Sequence, residues 1–186
     1  MDKLQPYSPL QGLAGTTGIN VKLKELNRFN LILRGKQDDN KFMKSAQKIF
    51  DKLPVKPNST YQKSGITIIW VSPDEWILTG DYNKLEKVKT DLDKSLENTH
   101  YALIDTSDYY MSANISGNNV RETLEKGVVV DLHDSAFPIG YATGTRYEKA
   151  VINLHREDNN SYNIIFRRSF APYLWGHLVK ASQEFK

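Results

Sequence analysis

Apolar side chains fall on alternate positions over residues 21–34, where Val21, Leu23, Phe29, Leu31 and Leu33 keep mostly to a period of two. That spacing places them on one face of extended backbone and predicts a strand or a hairpin. Over residues 39–53 the period changes: Phe42, Ala46, Ile49, Phe50 and Leu53 recur at helical spacing and Pro54 closes the run, which predicts an amphipathic helix. The β-branched run Ile66-Thr67-Ile68-Ile69-Trp70-Val71 is bounded by Gly65 and by Ser72-Pro73-Asp74, and Trp76-Ile77-Leu78-Thr79 returns before Gly80. A hairpin is the expected result. Leu85, Val88, Leu92 and Leu96 then stand three or four apart among charges, and residues 101–105 resemble another strand, so the first half reads β-α-β-β-α-β.

The second half partly echoes that order, with a strand expected over 109–115, a helix over 118–126 closed by Gly127, strands over 145–155 and 162–167, and a helix over 170–185. Glu157-Asp158-Asn159-Asn160 is the polar tip between the last two strands. The pattern predicts an α+β fold of two tandem split β-α-β lobes, with antiparallel or mixed sheets and helices on one face of each. Residues 1–18, punctuated by Pro6, Pro9, Gly12, Gly15 and Gly18, are expected to be a flexible leader, 19–106 the first lobe and 107–186 the second, packed as one unit.

Composition narrows the function classes. At 186 residues, 39% apolar and 25% charged, the chain can bury a core without staples. The 25 basic and 22 acidic residues are interspersed, leaving no basic stripe for a nucleic-acid backbone. With no cysteine in the sequence there is no disulfide, thiolate nucleophile, Cys-ligated zinc or iron–sulfur cluster. Met1-Asp2-Lys3-Leu4-Gln5-Pro6 lacks a signal-peptide core, and no apolar run approaches the roughly 20 residues of a membrane span. A cytoplasmic protein without a membrane partner is expected.

Candidate chemistry is sparse. Gly12, Gly15 and Gly18 are spaced like a phosphate loop, but they precede the first strand and no Gly-Lys-Ser or Gly-Lys-Thr is present. Asp131-Leu132-His133-Asp134 gathers an imidazole and two carboxylates; in a loop, with His100, His155 and His177 scattered, it reads as turn chemistry before it reads as a metal site. Ser107, Ser116 and Ser169 lack a nucleophile elbow. Arg167-Arg168-Ser169 stands where a strand hands over to a helix, and an arginine there could clamp a carboxylate; a solvated or interface arginine is the simpler reading. Phe170, Tyr173, Leu174, Trp175, Leu178 and Phe185 make an aromatic-rich helix whose default role is core packing, and whose exposed part would anchor a protein interface.

Several ordered stretches together resemble the sarcosine oxidase gamma-subunit family. They are Ser8-Pro9-Leu10, Pro73-Asp74-Glu75-Trp76-Ile77-Leu78, Ile104-Asp105-Thr106-Ser107-Asp108, Ile115-Ser116-Gly117, Leu124-Glu125-Lys126-Gly127, Asp131-Leu132-His133-Asp134-Ser135-Ala136-Phe137-Pro138 and Arg168-Ser169-Phe170-Ala171-Pro172-Tyr173-Leu174-Trp175. Residues 35–57 and 141–146 match the family's pattern poorly. The resemblance implies a non-catalytic subunit of a heterotetrameric enzyme that demethylates sarcosine to glycine, with hydrogen peroxide and, when tetrahydrofolate is present, methylenetetrahydrofolate as products. It implies larger alpha-type and beta-type partners and a small delta-type partner, with FAD, FMN, NAD and tetrahydrofolate held by the partners and no catalytic, cofactor or metal residue in this chain. It also implies a fold like the folate-binding lobes of the aminomethyltransferase superfamily. Arg168, Phe170, Tyr173 and Trp175 are the expected partner interface. The alternatives are a stand-alone folate-binding or one-carbon-transfer protein, with Asp105, Asp108 or Asp131 as the acidic group for a pterin, and a free-standing oxidase, for which no flavin or dinucleotide fingerprint is present.

Overall fold

The structure is a computed structural model and describes residues 7–13, 15, 16 and 18–185. Two five-stranded sheets carry the fold. The first contains β2 (Arg28–Arg34), β3 (Thr60–Lys63), β4 (Ile66–Ser72), β5 (Glu75–Asp81) and β6 (Ala102–Asp105) in the order β3-β4-β5-β2-β6. The second contains β1 (Lys22–Leu26), β7 (Tyr110–Ser116), β8 (Ala142–Tyr147), β9 (Ala150–Asp158) and β10 (Ser161–Arg167) in the order β1-β7-β10-β9-β8. Neighbouring strands pair antiparallel in both sheets.

Each sheet buries one face under two helices. In the first, Phe29, Leu31 and Leu33 of β2 and Trp76 and Leu78 of β5 meet Phe42, Ala46 and Phe50 of α1 (Asn40–Phe50) and Leu85, Val88, Leu92 and Leu96 of α2 (Leu85–Leu96). Asp39 caps α1 by accepting the amides of Lys41 and Phe42 at 2.8 and 3.2 Å, which satisfies two of the helix's free N–H groups. In the second, Met111, Ala113 and Ile115 of β7 and Tyr162, Ile164 and Phe166 of β10 meet Val120 and Leu124 of α3 (Val120–Glu125) and Leu174, Trp175 and Leu178 of α4 (Ala171–Ser182). The period of two thus decides which residues enter each core.

The opposite faces of the sheets meet each other. Between them lies a small apolar cluster of Ile69, Ala142 and Ile165 with Ile77 and Tyr110 packed against it. Around it stand the buried polar side chains of Asn30, Thr79, Ser112, His155 and Asn163.

The two halves correspond strand by strand. The chain order β2-α1-β3-β4-β5-α2-β6 reappears as β7-α3-β8-β9-β10-α4, and the sheet orders superpose when β1 takes the place of β6. The strand or hairpin expected over 21–34 is therefore neither: β1 joins the second sheet, and after Asn27 the chain crosses to the first as β2. The strand expected over 145–155 is also two, β8 and β9, turned at Glu148, whose φ of 52° is a left-handed turn conformation. The pattern missed β3, a four-residue edge strand with no buried position. The leader residues that are described do not hang loose. Leu10 is buried in the second core, Ser8 Oγ donates to the Glu25 carboxylate at 2.8 Å, and Leu23 N–H donates to Thr16 O at 3.0 Å.

Candidate functional site

Most of the sequence motifs resolve into structural roles. In Pro73-Asp74-Glu75-Trp76-Ile77-Leu78, Asp74 accepts from Ser72 Oγ at 2.6 Å and from the Arg34 guanidinium at 2.7 Å, closing the turn between β4 and β5. Trp76 is fully buried, stacks on Phe42 with centroids 5.7 Å apart, and donates its indole N–H to Pro54 O at 2.7 Å. That bond ties the loop after α1 to the first sheet. Gly117 adopts a φ of +128°, and a Cβ there would lie 2.3 Å from Asn20 O. Gly127 lies under the Tyr147 ring, which would sit 2.5 Å from an added Cβ, so both positions are closed to larger residues.

The loop at 131–138 is pinned by a buried cation. Arg156, 3% exposed, donates to Phe137 O at 2.8 Å and pairs with Asp134 at 2.7 Å, while its guanidinium lies 5.8 Å from the Tyr162 ring centroid. Arg121 pairs with the same carboxylate. The hydrogen bond from Arg156, against partial desolvation and aided by the charge of Arg121, holds Asp134 below the usual carboxylate range. Asp131 accepts the His133 amide at 2.8 Å, and His133 Nδ1 lies 2.8 Å from Ser135 Oγ. Asp131, His133 and Asp134 thus each have a partner within the loop or on α3 and β9, and Leu132 and Phe137 insert into the core. This is turn chemistry.

A different place gathers motif residues from distant parts of the chain. An open groove of about 990 Å³ lies where the chain crosses between the sheets. Ser8 and Glu25 line it from the leader and β1, Arg28 from the crossing into β2, Ser107 and Asp108 from the crossing into β7, and Arg168 from the end of β10. Three of the family-like stretches, around Ser8, Asp108 and Arg168, converge here. Tyr82 and Tyr110 add aromatic walls. The crossing at 105–110 is latched to β2: Thr106 Oγ1 and N–H donate to Asn30 O at 2.7 and 2.9 Å, and Asn30 N–H donates to Ser107 Oγ at 3.1 Å. Asp105 accepts the Ser107 hydroxyl and amide at 2.7 and 3.1 Å and pairs with Lys89. Burial works against its charge, but these donors prevail and keep its pKa below normal. Asp105 is therefore committed within the chain, whereas Asp108 lines the groove.

The four residues expected at an interface part company. Arg168 is half-buried at the groove. Phe170 and Tyr173 are half-buried, edge to face at 6.1 Å, and Tyr173 continues onto His177 at 4.5 Å, giving a continuous aromatic flank along α4. Trp175 points the other way, 5% exposed within the second core. Arg28, Tyr82 and Tyr110 were not singled out from the sequence, because only the crossing between sheets brings them to one rim.

Among the described residues, no helix is long and apolar enough to cross a membrane. The sarcosine oxidase, gamma subunit family matches residues 34–184. The sarcosine oxidase subunit gamma of Corynebacterium sp. (strain U-96) is 26% identical over 122 residues, covering 66% of this chain and 58% of that protein, so the match spans under two thirds of the relative's length. A chain of the heterotetrameric sarcosine oxidase from Corynebacterium sp. U-96, in complex with pyrrole 2-carboxylate, superposes with a TM-score of 0.87 at 24% identity, covering 97% of this chain and 96% of that one. The glycine cleavage system aminomethyltransferase T from Bartonella henselae superposes with a TM-score of 0.62 at 10% identity, over 86% of this chain and 45% of that one. Both structures share the fold.

Proposed function

The chain belongs to the sarcosine oxidase gamma subunit family, and from that membership we propose that it serves as the non-catalytic gamma-type subunit of a heterotetrameric sarcosine oxidase. The family match over residues 34–184 carries this reading. In it the chain packs against larger alpha-type and beta-type subunits and a small delta-type subunit in the cytoplasm. Those partners hold FAD, FMN, NAD and tetrahydrofolate and carry out the oxidative demethylation of sarcosine to glycine, with hydrogen peroxide and methylenetetrahydrofolate as products. This chain contributes shape and surface. The docking face is the flank of Arg168, Phe170 and Tyr173, with Trp175 supporting it from the core side. Half-buried aromatic and arginine side chains are the usual anchors of an interface, and a permanent complex buries roughly 1,600 Å² or more.

A native pull-down of the tagged chain tests this, with the recovered material assayed for flavin absorbance and sarcosine-dependent peroxide. Co-recovery of flavin-bearing larger subunits with that activity is the expected result. Recovery of the colourless chain alone, with the other subunits expressed, would sink the proposal.

One observation favours a second reading, a folate-binding or one-carbon-transfer role: Asp108 lines an open groove large enough for a small ligand. Titration calorimetry with tetrahydrofolate separates the two, since heat that disappears in Asp108→Asn supports ligand binding by the isolated chain. No heat at several temperatures removes it.

A further inference from the structure

The internal repeat gives β6 a counterpart. β1 stands in the second sheet where β6 stands in the first, each last in its sheet. The registers match as well: Leu23 of β1 lies opposite Ile115 of β7, as Leu103 of β6 lies opposite Leu33 of β2, and Ile115 and Leu33 are both core positions. Antiparallel strands exchange hydrogen bonds through alternate pairs. Thr106 N–H donates to Asn30 O at 2.9 Å, so the bonded pairs that follow are Ile104 with Ile32 and Ala102 with Arg34. Leu103, between them, turns its N–H and C=O away from the sheet, as Leu23 does on β1.

The outer edge of β1 is covered by this chain's own leader. Leu23 N–H donates to Thr16 O at 3.0 Å, Gly15 runs so close that a Cβ there would lie 2.9 Å from Leu23 O, and Leu23 is buried. β6 lacks this cover: among the described residues nothing bonds to the outward N–H or C=O of Leu103, which is only half-buried. Nor does β6 carry the lysines or proline that usually protect a free edge. β1 has Lys22 and Lys24, whereas β6 reads Ala102-Leu103-Ile104-Asp105, and the carboxylate of Asp105 is committed to Ser107 and Lys89. On the face away from the helices, Ile69, Ile77, Ile32 and Ile104 stand in register across β4, β5, β2 and β6. The row begins in the apolar cluster between the sheets, where Ile69 is 1% exposed, and ends at Ile104, 47% exposed.

We propose that the outer edge of β6 is a docking site for an extended, uncharged apolar segment of one of the larger subunits, which bonds to the backbone of Leu103 and lays an apolar side chain beside Ile104, extending the five-stranded first sheet by one strand. The segment does for β6 what residues 15 and 16 do for β1. It continues the isoleucine row from the cluster between the sheets into the partner, and an edge whose one carboxylate is already paired favours an uncharged segment over a charged one. The site adds a second contact to the α4 flank and rests on the reading of this chain as one of four different subunits.

Amide hydrogen exchange of the full chain, alone and in the complex co-purified with the other subunits, tests the site. The Leu103 amide should exchange freely in the isolated chain and at least tenfold more slowly in the complex, while the Leu23 amide is protected in both. Leu103→Pro removes an N–H that the fold itself does not use, and Ile104→Lys puts a charge at the exposed end of the row; each should cut recovery of the larger subunits at least fivefold. Ile104→Lys, at a half-exposed position, keeps the test open where Leu103→Pro does not fold, and its isolated chain should keep the wild-type Tm within a few degrees. Unchanged Leu103 exchange in a complex that does contain the larger subunits overturns the docking edge and leaves the subunit reading standing. Failure of the wild-type chain to recover any larger subunit overturns both. Self-association of the isolated chain that Ile104→Lys abolishes makes the occupant a second copy, which also overturns the proposal.

Discussion

Acidification should loosen the contact between the lobes through His155. Burial, with a smaller push from Arg28 and an opposing pull from Glu157, lowers its pKa from 6.5 to about 4. Thr79, Ser112 and Asn163, which line the same small cavity as His155 and Arg28, are uncharged. In the folded chain the ring stays neutral well below the pH at which the unfolded chain protonates it. Protonation therefore favours the unfolded state: stability is unaffected above about pH 6.5, falls as pH drops through that value, and levels out below about pH 4. At about 1.36 kcal/mol per pKa unit the full loss is about 3 kcal/mol, of which about 2 kcal/mol is present by pH 5. Urea unfolding followed by tryptophan fluorescence at pH 7.5, 6.5, 5.5 and 5.0 measures it. Asp74, Asp105 and Asp134 have pKa values held below 3.8 and contribute little in that range. His155→Gln should flatten the pH dependence by about 2 kcal/mol at pH 5, whatever its absolute stability. An equal loss in wild type and His155→Gln between pH 7.5 and 5.0 would refute the reasoning.

The remaining expectations concern the cores and the α4 flank. Trp76→Phe removes the N–H that meets Pro54 O inside the first core and should cost about 1–3 kcal/mol, read as a lower urea midpoint with unchanged slope. Asp134→Asn leaves the buried Arg156 without a carboxylate; because Asp134 is itself exposed and screened by solvent, the loss should be smaller than for a fully buried pair and should read as a modestly lower calorimetric Tm than wild type. Trp175→Ala should destabilise the isolated chain by about 3–5 kcal/mol. Tyr173→Ala should leave the fold within about 1 kcal/mol of wild type yet reduce recovery of larger subunits in a pull-down; intact recovery would remove Tyr173 from the docking face.

Wherever structure depends on residues close in sequence, the chain alone announced it. The α1 and α2 stripes, the β4–β5 hairpin around Ser72-Pro73-Asp74 and the alternation in β7 and β10 follow from local periodicity, because side-chain direction repeats every 3.6 or 2 residues whatever lies opposite. The motif strings pointed to the family, and their residues prove to be turn, latch and packing positions. A period of two, however, says which face of a strand is apolar and nothing about which sheet receives it. β1 and β2 carry one continuous pattern yet pair with β7 and β5, about 90 and 50 residues away. The burial of Trp175 beside the half-exposed Tyr173, the meeting of Ser8, Asp108 and Arg168 at one groove, and the burial of Asn30, Thr79, Ser112, His155 and Asn163 between the sheets arise only when the sheets pack. Each depends on non-local contacts, and those are decided by the best joint burial of two sheets and four helices instead of by any one segment's own preference.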